Sequence, residues 1–214
     1  LQSLGVNVDA DPGVQAQCLD EVGICFCFAI HHHPATKHVM PVRKAIGVPT
    51  MFNLLGPLTN LAGAGRQVMG IYDDRFLTVI AETLDRLGTR RSIVVHSEDG
   101  LDECSISAPT TIVDVRNGSI ERSTISPEDV GLETAGIEHV TARNLEHASE
   151  MVRGVVSGKL PGPPRDMTIL NSAVALLAAG HCADLGEGVR KAEDSIDSGR
   201  SLETLERLVE CSRG

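Results

Sequence analysis

Gln67-Val68-Met69-Gly70-Ile71-Tyr72, then Phe76-Leu77 through Leu87-Gly88, then Arg91-Ser92-Ile93-Val94-Val95-His96: this stretch decides the fold. Its first and last runs are short, apolar and rich in branched residues, as strands are. Between them Phe76, Leu77, Ile80, Leu84 and Leu87 recur at helical spacing. Asp73 or Asp74 can cap the start of that helix and Gly88 can close its end. Strand, helix, strand is a crossover unit, and it predicts an α/β fold with a largely parallel central sheet flanked by helices.

Working outward, Thr111 to Arg116 and Ser119 to Thr124 flank Asn117-Gly118, a pair that favours positive φ at both central turn positions. A β-hairpin insertion is expected there. Upstream, Pro12 to about Val22 reads as a short helix, and Ile24-Cys25-Phe26-Cys27-Phe28-Ala29 as an apolar central strand. Ala35 to Ile46 has helical length and stops at Gly47 and Pro49. Downstream, helices are expected near Asn144–Ser157, Asp166–Ala179, Leu185–Ser198 and Ser201–Glu210, the first two separated by Pro161-Gly162-Pro163-Pro164.

Composition bounds the function. A chain of 214 residues, 42% hydrophobic and 22% charged, supports one sizeable core, so residues 1-214 read as a single α/β domain. A net charge of −10 without clustered Lys and Arg argues against a nucleic-acid partner. The six cysteines show no metal-ligand spacing, and four of them lie in apolar surroundings, which fits a reducing cytoplasm. No run of about 18 apolar residues predicts a membrane span. The opening, from Leu1 without Met into Gly5-Val6-Asn7-Val8-Asp9, reads as the tail of an earlier element and hence as a fragment of a longer chain.

Three places carry candidate chemistry. His96-Ser97-Glu98-Asp99-Gly100-Leu101-Asp102-Glu103 follows a predicted parallel strand, at the end where open α/β sheets bind ligands. Its carboxylates are hard oxygen donors of the kind Mg²⁺ takes, in ones or twos, together with waters and substrate phosphates. As a solvated acidic loop it would read equally well. His31-His32-His33-Pro34 and Arg43 read as a pocket wall, with one of the three imidazoles facing the pocket while the others pack or cap, or with all of them in a structural role. The planar fork of Arg43 suits a carboxylate, although a surface ion pair would also use it. In Asn53-Leu54-Leu55-Gly56-Pro57-Leu58-Thr59-Asn60, Gly56 permits close backbone approach and Pro57 offers a rigid apolar edge; a plain tight turn needs the same residues.

Taken together, His33-Pro34-Ala35, Pro41-Val42-Arg43, Phe52 through Asn60, Val95-His96, Asp99-Gly100-Leu101-Asp102-Glu103, Arg165-Asp166, Leu170-Asn171 and Ala192 through Gly199 resemble, in order, the anthranilate phosphoribosyltransferases of tryptophan biosynthesis. That resemblance implies the C-terminal domain of the nucleoside phosphorylase and phosphoribosyltransferase type. The implied reaction is transfer of the 5-phosphoribosyl group from phosphoribosyl pyrophosphate to the amine of anthranilate, with Mg²⁺. It places Asp102 and Glu103 on the metal, Arg43 on the anthranilate carboxylate, and His33, Pro57 and Gly56 along the anthranilate channel. No side chain need act as nucleophile, since the aromatic amine is one already.

The family's glycine-rich phosphate loop and Lys-His-Gly-Asn segment do not occur in these 214 residues. The resemblance therefore implies a domain inactive by itself, and a homodimer formed through the family's N-terminal helical domain. Two other readings stay open: a pyrimidine nucleoside phosphorylase-like enzyme, and a non-catalytic ligand-binding fragment of the same fold.

Overall fold

The computed structural model describes residues 1–28, 32, 45, 47, 54, 55, 58, 59 and 63–214. Among them the sheet has four strands, β1 (Arg66–Gly70), β2 (Arg91–Ser97), β3 (Thr110–Arg116) and β4 (Ser119–Ile125), in spatial order β1-β2-β3-β4. Helix α1 is Pro12–Glu21, and α2, Leu77–Arg86, connects β1 to β2. After the sheet come α3 (Leu145–Val156), α4 (Pro163–Ala179), α5 (Leu185–Asp197) and α6 (Arg200–Cys211).

The crossover unit closes as expected: β1 and β2 pair in parallel, from Arg66 opposite Arg91 to Gly70 opposite Val95. The hairpin follows. β2 pairs antiparallel with β3, and β3 antiparallel with β4, so the described sheet is mixed. Asn117 at φ 52° and Gly118 at φ 80° make the turn, which only such residues adopt without strain.

β2 is buried almost throughout because both of its faces are covered. Ile93 and Val95 face Ile169, Leu170, Ala173 and Val174 of α4. Val94, one position out of phase, faces Leu77, Ile80, Ala81 and Leu84 of α2. A smaller cluster joins Val6, Cys18 of α1 and Leu208 of α6.

Two arginines at the start of the sheet fasten α4. Arg66 donates to the Ala178 carbonyl at 2.9 Å, and Arg91 to the Leu177 carbonyl at 2.6 Å. These carbonyls lie in the last turn of a helix, where intrahelical partners run out and positive charge is favoured. Arg91 also forks onto Asp114 of β3 at 3.0 and 2.5 Å while only 8% exposed.

Two expectations shift. Helix α4 begins at Pro163 instead of Asp166, because proline is tolerated in the first turn, where its missing N–H has no partner to lose. Ile24 to Phe28 form no strand: a strand exists only through a pairing ladder, and none is made here with a described residue. Of the six cysteines, Cys18, Cys104 and Cys182 are buried, one fewer than the apolar surroundings in the sequence implied. The helix expected over 35–46 lies outside the described residues apart from Ala45.

Candidate active site

The acidic run sits on the loop leaving β2, at the carboxyl end of the strand that pairs in parallel with β1. Its base is held by buried hydroxyls. Ser97 donates to the Glu103 carbonyl at 2.7 Å and lies 2.5 Å from the Thr110 hydroxyl across the mouth of the loop. The Ser105 N–H reaches both hydroxyl oxygens, at 3.0 and 3.1 Å. Cys104 and Ile106, fully buried, root the loop in the main core.

Asp99 turns the loop from inside. It accepts from the Ser105 hydroxyl at 2.6 Å, from the Ser107 hydroxyl, and from the Leu101 N–H at 3.4 Å. Burial alone would push this carboxyl up, but the hydroxyls and N–H groups outweigh it and hold it below its usual value. Asp99 thus works within the loop, leaving Asp102 and Glu103 to face outward.

Asp102 passes directly over β1. A Cβ on Gly70 would fall inside the Asp102 carbonyl group, so this approach requires glycine. Glu103 is solvent-accessible, yet its carboxyl is raised by partial burial and then by the charge of Asp102 beside it. Neither acid has a cationic partner among the described residues.

Glu103 also edges a mainly apolar cleft of about 530 Å³ between α3 and α4, lined by Val152, Val155, Met151, Met167 and Ala175, with Asn171 at its polar end. Asn171 fixes the loop to the helix. Its Oδ1 accepts the Cys104 N–H at 2.9 Å, while its Nδ2 donates to the Cys104 carbonyl at 2.8 Å and to the Met167 carbonyl at 2.9 Å. His96, at the end of β2, has Nδ1 2.7 Å from the Ile71 carbonyl. A carbonyl only accepts, so in this contact Nδ1 carries a proton and donates it.

Asp102 and Glu103, neighbours in the chain, both lie exposed on the loop after β2. Arg43, His33, Gly56 and Pro57 lie outside the described residues. Asn171, Asp99 and Gly70 were not singled out by the sequence for these roles. The one available signal was a polar Asn171 inside the apolar run of α4.

Among the described residues no three His, Cys, Asp or Glu side chains gather as a metal cluster. Two adjacent carboxylates without a counter-cation do fit a Mg²⁺ ion that draws its other ligands from water and a phosphorylated substrate.

A parallel strand pair, an antiparallel hairpin and an acidic loop at the strand's carboxyl end make up an α/β domain with a candidate ligand site. Residues 1–202 match the glycosyl transferase family, a/b domain, and the chain belongs to that family. Among its relatives, the anthranilate phosphoribosyltransferase of Thioalkalivibrio sulfidiphilus is 44% identical over 209 residues, covering 98% of this chain and 62% of that protein. That of Symbiobacterium thermophilum is 46% identical over 210 residues, covering 98% and 61%. The crystal structure of the enzyme from Thermus thermophilus superposes with a TM-score of 0.92 at 38% identity, covering all of this chain and 63% of that one. The Saccharomyces cerevisiae enzyme in complex with phosphoribosyl pyrophosphate and Mg gives 0.89 at 26% identity, covering 99% and 61%. The chain thus spans about three fifths of the length of the relatives it matches.

Proposed function

We propose that residues 1–214 are the α/β catalytic domain of an anthranilate phosphoribosyltransferase, which moves the 5-phosphoribosyl group from phosphoribosyl pyrophosphate onto the anthranilate amine. The observation that carries this reading is the Asp102-Glu103 pair, without a cationic partner among the described residues and pinned at the carboxyl end of β2, in a chain whose relatives bear that name over nearly its whole length. In this reading Asp102 and Glu103 hold Mg²⁺, which neutralises charge on the departing pyrophosphate. Arg43 meets the anthranilate carboxylate, and His33, Gly56 and Pro57 line its channel. The nucleophile comes with the substrate, so the protein's share is positioning and electrostatic stabilisation.

The full-length enzyme is expected to be a cytoplasmic homodimer joined outside this domain. Among the described residues no helix is long and apolar enough to cross a membrane, and all six cysteines are free thiols. The 214 residues alone are expected to turn over little or nothing, since the family's phosphate loop is not among them.

The test uses the full-length protein. Anthranilate fluorescence should fall on addition of phosphoribosyl pyrophosphate and Mg²⁺, and thymidine should not be cleaved by phosphate. Phosphorolysis of thymidine without loss of anthranilate fluorescence would assign the domain to nucleoside phosphorolysis, and neither activity would leave it a ligand-binding fold.

A further inference from the structure

Four of the six cysteines gather at one corner of the molecule, away from the acidic loop, where α1, the segment Ile24 to Phe28 and α6 meet. Cys18 is on α1 and Cys211 ends α6. Cys25 and Cys27 lie on the segment between α1 and the stretch that carries His33.

This segment has two faces. The Phe26 and Phe28 rings sit 6.1 Å apart, centroid to centroid, while the Cys25 and Cys27 sulfurs sit 3.7 Å apart. In extended chain alternate side chains share a side, so the aromatic pair and the thiol pair project oppositely. Cys27 is exposed and Cys25 half-buried. Gln15, only 5% exposed and itself anchored on the Ala10 carbonyl at 2.8 Å, accepts from the Cys27 thiol at 3.5 Å. That bond holds Cys27 beside its neighbour.

We propose that Cys25 and Cys27 form a reversible dithiol–disulfide site that reacts with low-molecular-weight disulfides such as oxidised glutathione. The exposed Cys27 thiolate attacks one sulfur of the incoming disulfide, forming a mixed disulfide and expelling one thiolate. Cys25, already in contact, then attacks the Cys27 sulfur and expels the second thiolate. The two cysteine protons end on the two released thiols, and the two electrons lost by the pair reduce the small disulfide. Closing the bond brings the sulfurs from 3.7 Å to about 2.05 Å. No β-ladder with a described residue opposes the backbone adjustment this needs.

Cys18 is not the partner. It is 2% exposed, and burial, followed by the Cys211 thiol beside it, pushes its thiol up to about 11, which keeps it protonated. Burial also raises the Cys25 thiol, but proximity to the mixed disulfide offsets its smaller thiolate fraction.

The experiment incubates the protein in buffers of reduced and oxidised glutathione, quenches with acid, alkylates, and reads intact mass and peptides. With oxidised glutathione in excess, the parent protein should lose two of its six alkylatable thiols and carry a Cys25–Cys27 link, restored by dithiothreitol. Cys25→Ser should stop at a stable glutathione adduct on Cys27, and Cys182→Ser should behave as the parent, with circular dichroism confirming that each variant folds. Six alkylated cysteines in excess oxidised glutathione, a persistent Cys27 adduct in the parent, or a link between another pair would overturn the proposal. None of these outcomes bears on the transferase reading.

Discussion

The side-chain amide of Asn171 holds both backbone groups of Cys104, accepting from its N–H at 2.9 Å and donating to its carbonyl at 2.8 Å. The residue so gripped is the neighbour of Glu103, and the two partners are 67 positions apart. One helical side chain therefore fixes where the second acid of the candidate metal pair stands.

Asn171→Ala should lower stability by about 2–6 kcal/mol, because it strands a buried N–H and a buried carbonyl at about 1–3 kcal/mol each. Urea unfolding measures this. In the full-length enzyme the same variant should need more Mg²⁺ for half-maximal rate. A stability loss with unchanged Mg²⁺ dependence would confine Asn171 to a structural role.

Gly70→Ala should be costly for its size. The added methyl meets the backbone of Asp102, which cannot rotate aside as a side chain could, so the loop must shift; overpacking of this kind costs about 1–3 kcal/mol. Thermal unfolding of the variant checks it, and a neutral result would mean that the loop stands clear of β1.

Arg91→Ala should cost about 3–5 kcal/mol, since it leaves Asp114 without its partner in a largely buried pair. Arg66→Ala, which removes one hydrogen bond to the end of α4, should cost only about 0.5–1.5 kcal/mol. Denaturant midpoints of the two variants, compared directly, should preserve that order.

Asp99 should give the fold an acid-sensitive component. Its carboxyl lies below its usual value in the folded state, so its contribution is fully present above the unfolded value of about 4 and fades as pH falls through the folded value. Asp99→Asn should be less stable than the parent at neutral pH, with the gap narrowing as pH falls below the unfolded value of about 4. A gap independent of pH would exclude the ionised form as the source.

In the full-length enzyme, Asp102→Asn should lower turnover and weaken the Mg²⁺ dependence, because one anionic donor is lost beside a doubly charged ion. Arg43→Ala should mainly raise the KM for anthranilate, by about 10- to 100-fold for a charge-assisted pair of about 1.5–3 kcal/mol. Steady-state kinetics with each substrate varied separates the two.

Local patterns revealed what local forces decide. Asn117-Gly118 announced the hairpin because the turn needs positive φ at both positions, and the strand, helix, strand rhythm announced the parallel pairing of β1 with β2. The Asp102-Glu103 pair stood out since a turn alone needs no adjacent acids. Ile24 to Phe28 misled, because an apolar run has the composition of a strand whether or not a partner lies alongside it. Pro163-Pro164 misled in the other direction, reading as a break where they begin a helix. Gly70 gave no warning of its role and Asn171 only its polarity within an apolar run, because both roles depend on chain that lies far off in the sequence.

Helix α4 is held at two levels: Arg66 and Arg91 grip its final carbonyls, and Asn171, at its midpoint, grips the acidic loop. At about 1.5 Å per residue, the stretch from Asn171 to Leu177 acts as a ruler of about 9 Å. One residue inserted between Asn171 and Leu177 would swing the two grips out of phase by about 100°. The spacing along this rod thus sets where the acidic loop stands relative to the sheet.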